Sequence, residues 1–291
     1  MSGKRGFTLI ELLVVIAIIA LLLSIIMPSY SKIKLVAREV LCKNNMRQYG
    51  LATEMYTNEN DEYYPNPWES LYSKTQFPSE SQRSCRWHNS EYDLGANASK
   101  RDSLGVHYAG PYWPYLANTQ ANVCPTFASY KKHGILHKNH DDSIPIEGPF
   151  FSYSMNGNIK KEDSGGEQNA KPVRKSKVDN TTGTFLWAEE NMFLLKFASN
   201  HPTYPNQAIC TEILNDNALL IDNEDTGYGK DSFGTFHGVS AAELEAELPG
   251  ETGAYGVYQE KGYSHALLVD GSMEQVRPED NLRLCGQPGG Y

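Results

Sequence analysis

Residues 7–27, FTLIELLVVIAIIALLLSIIM, form an apolar run of 21 positions that carries a single ionisable side chain, Glu11. Wound as a helix at ~1.5 Å per residue, the run is about 31 Å long, enough to cross a hydrocarbon core of ~30 Å. It is longer than the ~7–15-residue apolar core of a cleavable secretory signal. A carboxylate inside such a segment costs at least ~3 kcal/mol, so Glu11 is read as a functional residue. The short leader MSGKRG places Lys4 and Arg5 ahead of the run. Basic residues on that side hold the N-terminus in the cytoplasm and send the rest of the chain outward. A plain anchor would account for everything here except Glu11 and the Gly6-Phe7 junction.

The pattern stays helical beyond Pro28. From Ser29 to about Asn58, Ile33, Val36, Val40, Leu41, Leu51, Ala52 and Met55 recur at three- and four-residue steps and are expected to form one stripe. Lys32, Lys34, Arg38, Lys43 and Arg47 occupy much of the remainder. Joined to the membrane segment, this predicts one helix of about 50 residues and about 75 Å. Pro28 is expected to kink it, because an interior proline removes a backbone hydrogen bond. The polar cluster Asn58-Glu59-Asn60-Asp61, with Pro65 and Pro67 after it, ends it. A stem that long outruns its own head. Its first half must meet lipid or the same segment of other copies.

The string Gly6-Phe7-Thr8-Leu9-Ile10-Glu11 at the head of the apolar run resembles the class III leader of type IV pilins and type II secretion pseudopilins. The resemblance implies a prepilin peptidase that cuts between Gly6 and Phe7 and methylates the new amino group of Phe7. It also implies that Glu11 is the assembly residue, its carboxylate meeting the freed amine of a neighbouring copy. The implied partners are other pilin or pseudopilin subunits, the peptidase, an inner-membrane assembly platform and membrane lipid. The implied placement is single-pass in the inner (cytoplasmic) membrane, with a periplasmic or extracellular head. The stretch Cys42 to Ala52, the turn Asn60-Asp61-Glu62-Tyr63-Tyr64-Pro65, Cys124-Pro125, Ser152–Asn156 and Leu186–Glu189 resemble recurring pieces of large pseudopilin-like proteins. The expected organisation is a leader over 1–6, a transmembrane and assembly helix over 7–27, an amphipathic continuation over 28–58, and a head over 59–291. The expected class is α+β: a long N-terminal helix packed on a β-rich, loop-rich, pilin-like head.

The formal net charge of −9 over 291 residues argues against nucleic acid, whose phosphates an acidic surface repels. It is compatible with divalent cations. Candidate strands are Phe150–Met155, Thr184–Ala188, Met192–Phe197, Ala218–Ile221, Ser264–Val269 and Met273–Val276, short apolar or alternating runs between turn residues. Asp270-Gly271 is a hairpin turn between the last two. Residues 66–148 read as irregular with one or two short helices, Glu162–Lys177 as an exposed loop, and Ala241–Glu247 as a short helix.

Five cysteines, at 42, 85, 124, 210 and 285, make no CxxC pair, and their spacing does not point to zinc. Buried free thiols are the favoured reading. The alternative, a Cys42–Cys124 bridge tying helix to head, rests on positions that resemble ones common in the large pseudopilins. That group also carries a C-terminal H-x9-DG motif. Here Asp270-Gly271 resembles its end, Glu260 stands where the histidine would, and His237 resembles that histidine displaced by an insertion. His265 occupies the following strand. The favoured roles are structural, a hydrogen-bonded imidazole and a turn-forming carboxylate. A metal or proton-transfer site of His237, His265 and Glu189 is the sharper alternative. Calcium is the cation to expect if one binds, at Asp222, Glu224 and Asp225, where oxygen-bearing side chains precede Gly227. His133, His137 and His140 near Asp141 and Asp142 form a polar patch with transition-metal ligands.

No G-x-S-x-G elbow, H-E-x-x-H helix, phosphate loop or dinucleotide turn appears, so no enzyme activity is expected. The leading expectation is a structural filament subunit serving type II secretion or a type IV pilus. The alternative is a membrane-anchored carbohydrate-binding protein, with Trp68, Trp87, Trp113 and Tyr115 stacking on sugar rings. A tethered hydrolase ranks third.

Overall fold

In the computed structural model, the described residues are 7–71, 82–84, 91–93, 110–116, 118–130, 151–161, 170–190, 194–196, 209–210, 218–219, 232–239, 255–257 and 262–286. The first element is α1 (Leu9–Glu59), a single helix of 51 residues that continues through Pro28. It is about 76 Å long at ~1.5 Å per residue. Its start is capped by Thr8, in extended backbone, and its end by Asn60, whose N–H donates to the Thr57 carbonyl. Asp61 and Glu62 then take left-handed backbone (φ 52° and 63°), and the Glu62 N–H also returns to Thr57. This is how the polar cluster at 58–61 stops the helix.

The strands are β1 (Gln82–Ser84), β2 (Glu91–Asp93), β3 (Tyr153–Asn156), β4 (Phe185–Glu189), β5 (Leu194–Lys196), β6 (Ile209–Cys210), β7 (Ala218–Leu219), β8 (Tyr255–Val257), β9 (Ser264–Leu268) and β10 (Met273–Val276). Among the described residues, two short helices, α2 (Pro125–Tyr130) and α3 (Asn281–Leu284), join the strands in an α+β architecture. The main sheet runs β10-β9-β4-β3-β7, antiparallel except for the parallel β3–β7 pair. A three-stranded sheet runs β6-β5-β8, and β1 and β2 pair as a hairpin. Each of the six predicted strands overlaps an observed one, and Asp270-Gly271 joins β9 to β10 with Gly271 at φ +86°. The pairs β1–β2 and the strands β6 and β8 carry no run long enough to announce them in sequence. The predicted helix over 241–247 lies outside the described residues.

The main sheet has two packed faces. Tyr153, Met155, Trp187, Leu267 and Val269 belong to the core shared with α1. Phe185, Ala188, Ala266, Leu268 and Val276 pack on the other side with Phe233, Leu284 and Cys285. A bulge between Phe185 and Trp187 in the β4–β9 pairing interrupts the alternation, so Leu186 joins Trp187 on the α1 side. Trp187 is the centre of the seam. Its ring meets Tyr49 edge-on at 4.8 Å and Tyr112 at 5.5 Å, and its Nε1–H donates to Thr53 Oγ1 at 2.9 Å.

The face of α1 that docks on the sheet corrects the expected stripe. Buried positions are Cys42, Asn45, Met46, Tyr49, Ala52, Thr53 and Thr57. Of the predicted set only Ala52 is among them; Ile33, Val36, Val40, Leu41, Leu51 and Met55 are 50–65% exposed. At 3.6 residues per turn these exposed residues fall mostly on the opposite side of the helix. The seam is therefore aromatic, sulfur and hydroxyl in character, and the aliphatic stripe looks outward.

Two further expectations change. Residues 170–177 are not a free loop: Ala170 and Val173 are buried, the Tyr64 N–H donates to the Val173 carbonyl, and Lys175 pairs with Glu54 at 2.6 Å. The remainder of that loop, 162–169, lies outside the described residues. Cys42 and Cys124 are not free thiols but a disulfide closing a sequence separation of 82, with Cα atoms 4.9 Å apart. Cys285 is buried and stands outside any disulfide.

Gly50 lies where α1 packs closely on β9, since a Cβ there would stand 2.7 Å from Leu267 Cδ2. A Gly→Ala change in a helix gains ~1 kcal/mol of propensity, and one leucine methyl can swing aside. Gly50→Ala should therefore stay within ~1 kcal/mol of the parent. Gly50→Leu should lose ~1–3 kcal/mol through overpacking. Urea unfolding of the detergent-solubilised chain, followed by tryptophan fluorescence, distinguishes the two.

Candidate functional site

The first functional region is the N-terminal part of α1. Leu9–Met27 has a mean hydropathy of 3.2 and none of it is buried inside the molecule. Thr8 and Glu11 form a capping box. The Thr8 N–H and hydroxyl both donate to Glu11 Oε2, at 2.8 and 2.7 Å, and the Glu11 N–H donates back to Thr8 Oγ1 at 3.3 Å. In the single chain the acid is thus held by its own helix start, a role that Thr8-x-x-Glu11 spells in sequence. Gly6, at the predicted processing junction, lies outside the described residues, and Phe7 is exposed.

The second region is the junction where α1 meets the head. Glu189, at the end of β4, is fully buried and accepts from three donors. The His265 backbone N–H lies 2.9 Å from its Oε2, and His265 Nδ1 lies 3.2 Å from the same oxygen. His237 Nε2 sits 3.1 Å from Oε1 and 3.0 Å from Oε2. Burial alone would raise this carboxyl, but the two imidazoles outweigh it and bring it down to about 2. His237 is placed by its backbone, which exchanges hydrogen bonds with Tyr263, and its ring stacks on the Tyr263 ring at 5.6 Å. From α1, Glu39 closes the group: it accepts from the Tyr263 hydroxyl at 3.1 Å and lies 3.4 Å from His265 Nε2. Burial and that carboxylate push the Tyr263 phenol up to about 12. Cys124 Sγ lies 3.6 Å from His237 Nε2, on the side where the disulfide enters.

The structure therefore gathers His237, His265 and Glu189, as one of the sequence alternatives held, and adds Glu39, Cys42, Cys124 and Tyr263. Sequence spacing does not set the last four beside that trio, because they come from segments up to 224 positions apart. Asp270 stands elsewhere. It is exposed in the β9–β10 turn and accepts from the Ser272 N–H and hydroxyl, at 2.9 and 2.6 Å. The calcium candidates Asp222, Glu224 and Asp225, the His133–Asp142 patch and Trp87 lie outside the described residues. Trp68 is buried in the core. Trp113 is half-buried and donates its Nε1–H to the Leu71 carbonyl, and Tyr115 is half-buried and donates to Glu59 at 2.6 Å. These rings do not present an open stacking platform.

Comparison with known proteins matches the prokaryotic N-terminal methylation motif to residues 1–27. The chain is also similar to the type IV major pilin protein PilA of Myxococcus xanthus (strain DK1622), 37% identical over 60 residues. That alignment covers 21% of this chain, and the chain spans about a quarter (27%) of the length of that relative. No solved structure matches the chain. The chain thus carries a prepilin-type N-terminal methylation motif at the start of a long apolar helix set on an α+β head, and is similar over part of its length to a type IV pilin.

Proposed function

We propose that the chain is a structural filament subunit. It is inserted in the cytoplasmic membrane by α1, cut between Gly6 and Phe7 by a prepilin peptidase, methylated at the Phe7 amine and packed by its N-terminal helix against other copies. On this reading it serves a type II secretion or type IV pilus-like filament. The observation that carries the reading is the uncovered aliphatic surface of α1. Large apolar side chains stay exposed from Phe7 through Met55, and the head covers one side of the C-terminal half alone. Contiguous apolar surface of this extent needs lipid or protein over it. Neighbouring stems supply it where lipid ends, since the exposed stripe at 33, 36, 40, 51 and 55 lies beyond the membrane-length segment. The carbohydrate-binding alternative loses ground because Trp68 and Trp113 are engaged in the head's packing.

Intact-mass and N-terminal fragment analysis of the native protein tests the proposal. From cells with an active prepilin peptidase, the expected chain begins at Phe7 and carries one added methyl group. A chain that still begins at Met1 in those cells overturns it.

A further inference from the structure

We propose that Cys42, Cys124, Glu189 and His237 form a buried four-ligand site for a zinc-type divalent ion when the Cys42–Cys124 bond is reduced, so that metal replaces the disulfide at the junction of stem and head. One ligand atom from each residue, two Sγ, one imidazole nitrogen and one carboxylate oxygen, all lie within 4.8 Å of one another, and all four residues are buried. A tetrahedral zinc ion with bonds of ~2.0–2.3 Å needs its ligands about 3.3–3.8 Å apart. The His237 and Glu189 atoms stand 3.0 Å apart and the Cys124 and His237 atoms 3.6 Å. With the cysteine Cα atoms 4.9 Å apart, rotation of the two side chains opens the sulfur pair without moving the backbone.

The donor set is the second argument. Two thiolates, an imidazole and a carboxylate suit zinc, whereas calcium takes oxygen ligands alone. The third is the outer layer. The Glu189 carboxylate is already oriented by the His265 N–H and Nδ1, and the His237 ring by the stacked Tyr263. Outer partners of this kind fix the geometry of metal ligands. The site also joins α1 through Cys42 to three separate head segments. Either a disulfide or an ion there does the same mechanical work.

The exchange balances as follows. A dithiol reductant gives two electrons and two protons to the Cys42–Cys124 bond and closes to its own disulfide, leaving two thiols. The divalent ion displaces both thiol protons to solvent and forms two S–metal bonds. His237 offers the Nε2 lone pair once the proton there has moved to Nδ1 or to solvent, and a Glu189 oxygen completes the set.

The test uses the full chain in detergent micelles, either oxidised or reduced by a dithiol that is then removed without air, and Co²⁺ as the probe. The reduced chain should take up one Co²⁺ with intense thiolate-to-cobalt charge transfer and tetrahedral visible bands, and Zn²⁺ should bleach them. The oxidised chain should show neither. Cys42→Ser/Cys124→Ser should lose the charge transfer. Cys85→Ser/Cys210→Ser should keep it, and His237→Gln should bind at least about tenfold more weakly. No charge transfer in the reduced parent overturns the proposal without reference to any variant. So does a band that survives Cys42→Ser/Cys124→Ser. Neither result bears on whether the chain forms filaments.

Discussion

Glu11→Gln is expected to insert in the membrane as the parent does and to fail to enter filaments. The substitution separates two jobs that the one carboxylate holds. As a capping residue it accepts from the Thr8 N–H and hydroxyl, and a glutamine amide oxygen can still do so. As the proposed counter-charge for the amine of a neighbouring Phe7 it needs its negative charge, and glutamine has none. A charge at membrane depth is worth ~3 kcal/mol when its opposite removes the cost. At 1.4 kcal/mol per tenfold, the assembled pool should fall about a hundredfold. Membrane fractionation beside a count of sheared surface filaments reads both effects in one strain. Filaments at parental level in Glu11→Gln would reduce the acid to a helix cap.

Glu189→Ala in the disulfide-bonded chain carries the second large effect. The side chain is fully buried and serves as acceptor for His265 N–H, His265 Nδ1 and His237. Its loss leaves a buried N–H without an acceptor, which alone costs ~1–3 kcal/mol. The two imidazoles also lose the carboxylate they hydrogen-bond, and with each hydrogen bond to a charged group worth ~1.5–3 kcal/mol the total should reach ~3–5 kcal/mol. Glu189→Gln, which keeps an acceptor oxygen for the His265 N–H, should fall between Ala and the parent. Urea unfolding read at Trp187, two residues away, measures the series. An alanine variant within ~0.5 kcal/mol of the parent would show that the group does not hold the junction.

The extremes of the chain were the legible parts. A 21-residue apolar run with one acid permits few structures, and the helix that follows ends at the polar cluster where the pattern says it should. β9 and β10 were readable because Asp270-Gly271 supplies both the turn and its positive φ. The docking face of α1 was not readable from hydropathy. Its contacts are made by Tyr49 against Trp187, Thr53 against the Trp187 N–H, and Cys42 in a covalent bond. The more apolar side chains were left for surroundings that lie outside one molecule. Residues 170–177 misled for a related reason: their charged composition hides Ala170 and Val173, which the end of α1 and the backbone at Tyr64 hold down. The junction itself was beyond sequence reasoning. Histidine, glutamate and cysteine from five distant segments carry no spacing signature until the sheet sets them side by side. His237, His265 and Glu189 could be shortlisted as chemistry-bearing residues, but not Cys124 as their neighbour.

The disulfide sits at the membrane-proximal end of the helix–head seam, with Met46, Tyr49, Ala52, Thr53 and Thr57 all farther along α1. Tension drawn through the rod from below thus meets a covalent link within one turn of the Glu39–Tyr263 hydrogen bond. The non-covalent contacts beyond it are shielded from peeling, and the load passes into the strands through Cys124 rather than unzipping the rod one turn at a time.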